Sequence, residues 1–138
     1  MTTLTKFDAS ANIILVNVEL TNFDESETTL LPVVLDTGAT FTIIPWDIAV
    51  DLGYDPASLE RRQRIFTGSG VEFCPVVTLK KMTSLGMAVQ DIDVLCHDLP
   101  EGSCVDGLLG LNFLMMFDFE IKYSQGTIQL ISQNKTKN

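Results

Sequence analysis

The stretch Val33-Val34-Leu35-Asp36-Thr37-Gly38-Ala39-Thr40 brings an apolar run to a single carboxylate and then turns at once through small residues. A carboxylate in such a place can take a proton from water, provided that a second carboxylate, itself protonated, polarises the carbonyl under attack. Two such groups about 3 Å apart cannot both ionise, so a pair of them shares one proton. Gly38 lets the backbone approach the carboxylate where a Cβ would obstruct it. Asp and Gly also gather in ordinary turns, so the tripeptide by itself fits a surface loop equally well.

Two other groups carry chemistry. Cys96-His97, with Cys74 and Cys104, offers metal-ligand types, but the spacing fits no usual zinc pattern and His97 is the only histidine. Core thiols and a surface imidazole are therefore expected, with no metal. Arg61-Arg62-Gln63-Arg64 is a short basic run in an acidic chain. A solvated hairpin base is its expected role, and a clamp for acidic substrate residues is the sharper alternative.

Two further segments change the weight of Asp36. In Asp106-Gly107-Leu108-Leu109-Gly110-Leu111 the glycines permit two loops to cross closely, and the leucine pair can wall the floor beneath a site. Thr67-Gly68-Ser69-Gly70 is a hairpin tip midway between the other two, with backbone freedom suited to a flap. Asp-Thr-Gly, a short helix, a glycine hairpin, strands, Leu-Leu-Gly, a second short helix and a terminal hairpin follow one another from Ile13 to Ile131.

This order resembles the aspartic proteases of the retroviral type, whose motif is apolar-apolar-Asp-Thr-Gly-Ala/Ser. Ala39 brings the likeness nearest to the retroviral-like proteases and to their cellular and bacterial single-domain relatives. The resemblance implies an all-β, closed barrel-like acid-protease fold with one or two short helices, forming a homodimer. It implies an aspartic endopeptidase that hydrolyses peptide bonds with an activated water and needs no cofactor or metal. Asp36, Thr37 and Gly38 would form the catalytic loop, with the Thr37 hydroxyl tying two such loops together. Ala39, Gly68, Ser69, Gly70, Leu108, Leu109 and Gly110 would meet the substrate, with Ile44, Leu108 and Leu109 in apolar subsites. One chain offers one Asp-Thr-Gly, so a two-fold axis that sets Asp36 opposite itself supplies the second carboxylate.

The likeness has departures. Retroviral members place acidic residues after the Ala and an Arg after the Leu-Leu-Gly glycine, whereas Thr40-Phe41 and Leu111 stand here. Both partners are missing together, which leaves no bare buried charge. Asp36-x-Gly38-x-Thr40 also resembles the phosphate loop of sugar kinases and actin-like ATPases, but those folds need two helix-rich lobes. An inactive peptide-binding or dimerisation module of the protease fold is a further alternative.

The elements that must position these residues are mostly strands. Ile13–Leu20 alternates and is rich in β-branched residues, and the polar run Asn22–Thr29 turns the chain into a second strand at Leu30–Leu35. Pro32 lacks an N–H and is expected at a strand start or edge. Pro45–Gly53 has the proline-first, glycine-last pattern of a short helix. Ile65-Phe66 and Val71–Leu79 flank the glycine tip, Met87–Cys96 alternates, and Gly110–Phe117 suggests a short helix leading into a strand. Phe117–Tyr123 and Thr127–Ile131 form a hairpin across Ser124-Gln125-Gly126, and the polar tail Ser132–Asn138 is expected to fray.

With 138 residues, no repeat and no low-complexity linker, one domain spanning 1–138 is expected, its core at about 11–131. The hydrophobic fraction of 46% excludes a disordered chain. Nine Lys and Arg against eighteen Asp and Glu give a net charge of −9, which argues against nucleic acid and anionic membrane as partners and leaves a peptide or protein substrate. No apolar run approaches the roughly 18 residues of a spanning helix, and no signal peptide is visible. Three cysteines leave an odd one in any pairing, so a disulfide framework is not expected and a reducing, cytoplasmic setting is.

Overall fold

Period-two alternation of β-branched and polar residues builds most of the molecule. The computed structural model describes residues 1–103 and 105–133, so Cys104 and residues 134–138 of the polar tail lie outside the described residues. Strands β1 (Thr2–Lys6), β2 (Leu15–Thr21), β3 (Thr28–Leu35) and β4 (Ile43–Ile44) lead to helix α1 (Trp46–Asp51) and a 3₁₀ turn at Pro56–Ser58. Strands β5 (Arg62–Thr67), β6 (Gly70–Ser84), β7 (Met87–Cys96) and β8 (Leu108–Leu109) precede α2 (Leu111–Leu114), and β9 (Phe117–Lys122) and β10 (Thr127–Ser132) finish the chain. The molecule is mostly β with two short helices, as the resemblance implied.

The larger sheet has seven strands in the order β2-β3-β8-β4-β7-β6-β5, and a smaller one has the order β1-β10-β9. Strand β6 runs for 15 residues and serves three neighbours. Its first half pairs with β5 as a hairpin, its second half pairs with β7, and Met82–Ser84 also meets Val18–Leu20 of β2. The strand order of the larger sheet thereby returns on itself. Between the sheets and under the helices lies one cluster in which Val18, Leu20, Leu79, Met82, Phe113 and Leu130 are fully buried. Each such side chain is worth roughly 1.5–3 kcal/mol of burial relative to exposure. A second, smaller cluster of Ile43, Cys74, Val76 and Leu95 sits where the β5–β6 hairpin joins the sheet.

Several expectations need adjusting. β3 begins at Thr28, two residues ahead of the polar boundary, because Thr28 and Thr29 pair with Thr21 and Leu20. Pro32 is inside β3 and not at its start. Val34 and Asp36 donate their N–H groups to Gly107 and Leu109 on the β8 side, and Pro32 points the same way beyond the end of that two-residue strand, where no ladder partner is needed. β1 forms ahead of the expected start of the core, paired through Thr2–Lys6 with Ile131–Thr127. Ser132, expected in the frayed tail, closes β10 and donates its N–H to Met1 O at 2.9 Å. No helix among the described residues is long and apolar enough to cross a membrane.

Candidate active site

The parallel pairing of β3 with β8 fixes where Asp36 emerges. Val34 faces Leu108 and Leu35 faces Leu109, and the Asp36 N–H donates to Leu109 O at 3.0 Å. The chain then turns tightly. Ala39 donates its N–H to Asp36 O at 3.2 Å, and Gly38 donates its N–H to the Asp36 Oδ1 at 2.9 Å. A Cβ on Gly38 would stand 3.2 Å from that same oxygen, tighter than most such contacts. The loop is docked on the start of α2, where Leu111 and Asn112 donate to Ala39 O and Thr40 O at 2.8 and 3.1 Å.

Glycine is required where this loop crosses the segment around β8. A Cβ on Gly110 would fall 2.5 Å from the Phe41 carbonyl, and one on Gly107 would fall 2.5 Å from Ile43 O. Both are backbone atoms that cannot swing aside. The crossing also has a polar lock that the sequence reading did not single out. Thr42, fully buried, donates its hydroxyl and its N–H to Asn112 Oδ1, both at 2.9 Å, and its Oγ1 accepts the Gly110 N–H at 3.1 Å. The Asn112 Nδ2 donates onward to Asp93 O at 2.6 Å. Thr42 and Asn112, one residue beyond Phe41 and Leu111, bridge the two segments with neutral hydrogen bonds. The available signal was an amide next to the position where retroviral members carry an Arg.

A cleft of about 480 Å³ opens above the loop. One side is Asp36, Gly38, Ala39, Thr40 and Phe41, the apolar floor is Ile43, Leu95 and Leu108, and the opposite wall is Gln63–Phe66 of β5. Asp36 is half-buried and is the sole acidic residue among the described residues lining the cleft. Burial raises the Cys74 thiol above its ordinary range and pushes Cys96 up to about 12, so neither thiol is poised as an ionised nucleophile.

The expected site residues are distributed unevenly around this cleft. Asp36, Gly38, Ala39 and Leu108 line it, whereas Leu109 and Gly110 lie buried behind it. Ile44, expected in a subsite, is fully buried, because alternation along β4 turns Ile43 toward the cleft and Ile44 into the core. The same alternation separates Leu108 from Leu109. Thr37 is exposed at the crown of the loop. Gly68, Ser69 and Gly70 form the exposed tip of the β5–β6 hairpin, beyond the cleft walls of the single chain, with Thr67 opposite Gly70 and Gly70 at φ +119°. The basic run divides: Arg61 pairs with Asp93 at 2.9 Å, while Arg64 lines the cleft with its guanidinium 5.3 Å from the Phe66 ring centre.

Comparison with known proteins bears on this arrangement. The family model described as aspartyl protease matches residues 18–113, a span that includes the Asp36 loop, the hairpin and Leu108-Leu109-Gly110. Among solved structures, a retropepsin-like aspartic protease from Rickettsia conorii is similar, with a TM-score of 0.69, 19% identity, and coverage of 94% of this chain and 89% of that one. The comparison with curated proteins finds no match. At 19% identity the structural likeness concerns the fold, which is retropepsin-like. The family match covers well over half of the sequence, and the chain belongs to the aspartyl protease family.

Proposed function

We propose that this chain is one subunit of a homodimeric aspartic endopeptidase in which Asp36 of two identical subunits meets across a two-fold axis. The observation that carries the reading is Asp36 itself, held by Gly38 and Leu109 at the edge of a cleft whose described lining contains no second carboxylate. A water held between two Asp36 side chains would lose a proton to the ionised one while the protonated one hydrogen-bonds the scissile carbonyl oxygen. The water oxygen then bonds to the carbonyl carbon. Collapse of the tetrahedral species breaks the C–N bond as the amide nitrogen takes up a proton from the pair.

Further observations support the other assignments. Thr37, exposed at the crown, is free to reach the partner's loop, and the Gly68–Gly70 tip can close over a bound peptide. Ile43, Leu95 and Leu108 give an apolar floor that favours bulky apolar substrate side chains. The free thiols of Cys74 and Cys96 suit a reducing, cytoplasmic setting.

The test is incubation with a diverse peptide library, with and without an inhibitor that mimics the tetrahedral intermediate. Cleavage next to bulky apolar residues that the inhibitor stops is the expected result. Binding of peptides without cleavage would instead establish an inactive peptide-binding module, and cleavage indifferent to the inhibitor would overturn the carboxylate mechanism.

A further inference from the structure

Outside the cleft, one group among the described residues combines three metal-ligand types. Donor atoms of Glu72, Cys74 and His97 all lie within 4.8 Å of one another. The sequence spacing missed it because Glu72 is not part of any cysteine-histidine pattern. The fold assembles it in two steps. The β6–β7 register pairs Val76 with Leu95, and continuing that register toward the hairpin tip sets Cys74 across from His97. Glu72 lies two residues further along β6 and so faces the same side as Cys74. The His97 backbone is held by its N–H to Ile44 O at 3.1 Å, and its Nδ1 stands 3.2 Å from Glu72 Oε2.

We propose that Glu72, Cys74 and His97 bind a Zn²⁺ ion that fastens the β5–β6 hairpin to the end of β7. The donor set selects the metal. A thiolate, an imidazole and one carboxylate suit a borderline-soft ion in a tetrahedral site with water as fourth ligand, whereas Mg²⁺ and Ca²⁺ want oxygen ligands throughout. Tetrahedral zinc needs ligand atoms about 3.5 Å apart, so closing the site requires movements of about 1 Å. The Glu72 side chain, 46% exposed, has the room to supply them. His97 retains 18% exposure while Cys74 is buried, so the ion enters from the Glu72 side and meets the thiol at the inner end. A coordinated thiol gives up its proton outright.

The consequence is mechanical. Glu72 and Cys74 belong to the strand that returns from the hairpin tip, and His97 follows the strand that supplies Leu95 to the cleft floor. A metal bridge between them shortens the free arm of the hairpin and restrains its opening.

The experiment is a titration of the purified, reduced protein with Co²⁺ as a spectroscopic substitute, followed by displacement with Zn²⁺. One ion per chain with a thiolate-to-cobalt charge-transfer band is expected, absent in Cys74→Ser. His97→Ala and Glu72→Gln, altered at accessible positions, should each weaken Zn²⁺ binding at least about tenfold, since outer-shell partners alone are worth that much. Amide hydrogen exchange should slow in β5 and β6 with Zn²⁺ and stay unchanged with Mg²⁺. No thiolate band in the wild type, or the same band in folded Cys74→Ser, would overturn the site. Should Cys74→Ser not fold, unchanged affinity in His97→Ala would do so. All of these readings are made without a peptide substrate, so they stand apart from any outcome of the cleavage test.

Discussion

Thr42 shows how much of a site can rest on a residue that touches no substrate. Its Oγ1 takes the Gly110 N–H and its hydroxyl and amide both reach Asn112, at the point where the Asp36 loop crosses the β8 segment. Thr42→Val keeps the shape but leaves the buried Gly110 N–H without an acceptor. A loss of about 1–3 kcal/mol in stability is expected, measured by urea unfolding, and Thr42→Ser should recover most of it. The contrast with Asp36 explains what the sequence revealed at this scale. Asp36-Thr37-Gly38 is contiguous and its chemistry can be read from residue types, whereas Thr42 and Asn112 are 70 positions apart and gain meaning only when the two loops cross. Ile44 and Leu109 illustrate a different shortfall. Each sits next to a cleft-lining residue of the same character, and only the register of a two-residue strand decides which of the pair faces inward.

Among the elements, long alternating strands were legible and short or polar ones were not. Met87–Cys96 and the terminal hairpin carry their own period and turn residues. β1 is rich in threonine with one leucine, and its pairing is made by a strand at the other end of the chain, so no local pattern marks it. The end of the second half of β6, from Lys80 to Ser84, escaped because Lys80 and Lys81 interrupt the apolar rhythm. That half is tied to the end of α1 by Tyr54, whose oxygen accepts the Lys80 N–H at 3.0 Å and whose ring meets Phe23 edge-on at 5.5 Å. Burial, with Glu25 and Asp91 nearby, raises the Tyr54 phenol above 10.0 against the opposing Lys80 bond. The unfolded chain therefore loses this proton first as pH rises, and the contribution of Tyr54 to stability, intact at neutral pH, declines above about pH 10. Tyr54→Phe should cost about 1 kcal/mol at neutral pH through the lost acceptor. The gap to wild type should narrow in melting curves taken at rising alkaline pH, and a gap that widens would contradict the assignment.

At the scale of the whole molecule, the proposed mechanism makes the active species larger than the chain. Asp36→Asn keeps the size of the side chain but cannot share the proton, so its own dimer should fold and be inactive. With free exchange and random pairing, adding an equal amount of this variant to a fixed amount of wild type should lower the cleavage rate to roughly half. Subunit exchange is verified with mass labels, and an unchanged rate under those conditions would show that each chain works alone. The smaller sheet bears on how such a chain comes to be folded at all. Thr2 pairs with Ile131 and Lys6 with Thr127, so β1 has as its partner a strand that is synthesised long after it. Until β10 is made β1 has an open edge, and Leu4 has no sheet to join, which exposes the nascent chain to mispairing. Closure of this sheet is correspondingly non-local, and a slow late phase in refolding, reported by exchange protection of Thr2–Lys6, is where that delay belongs.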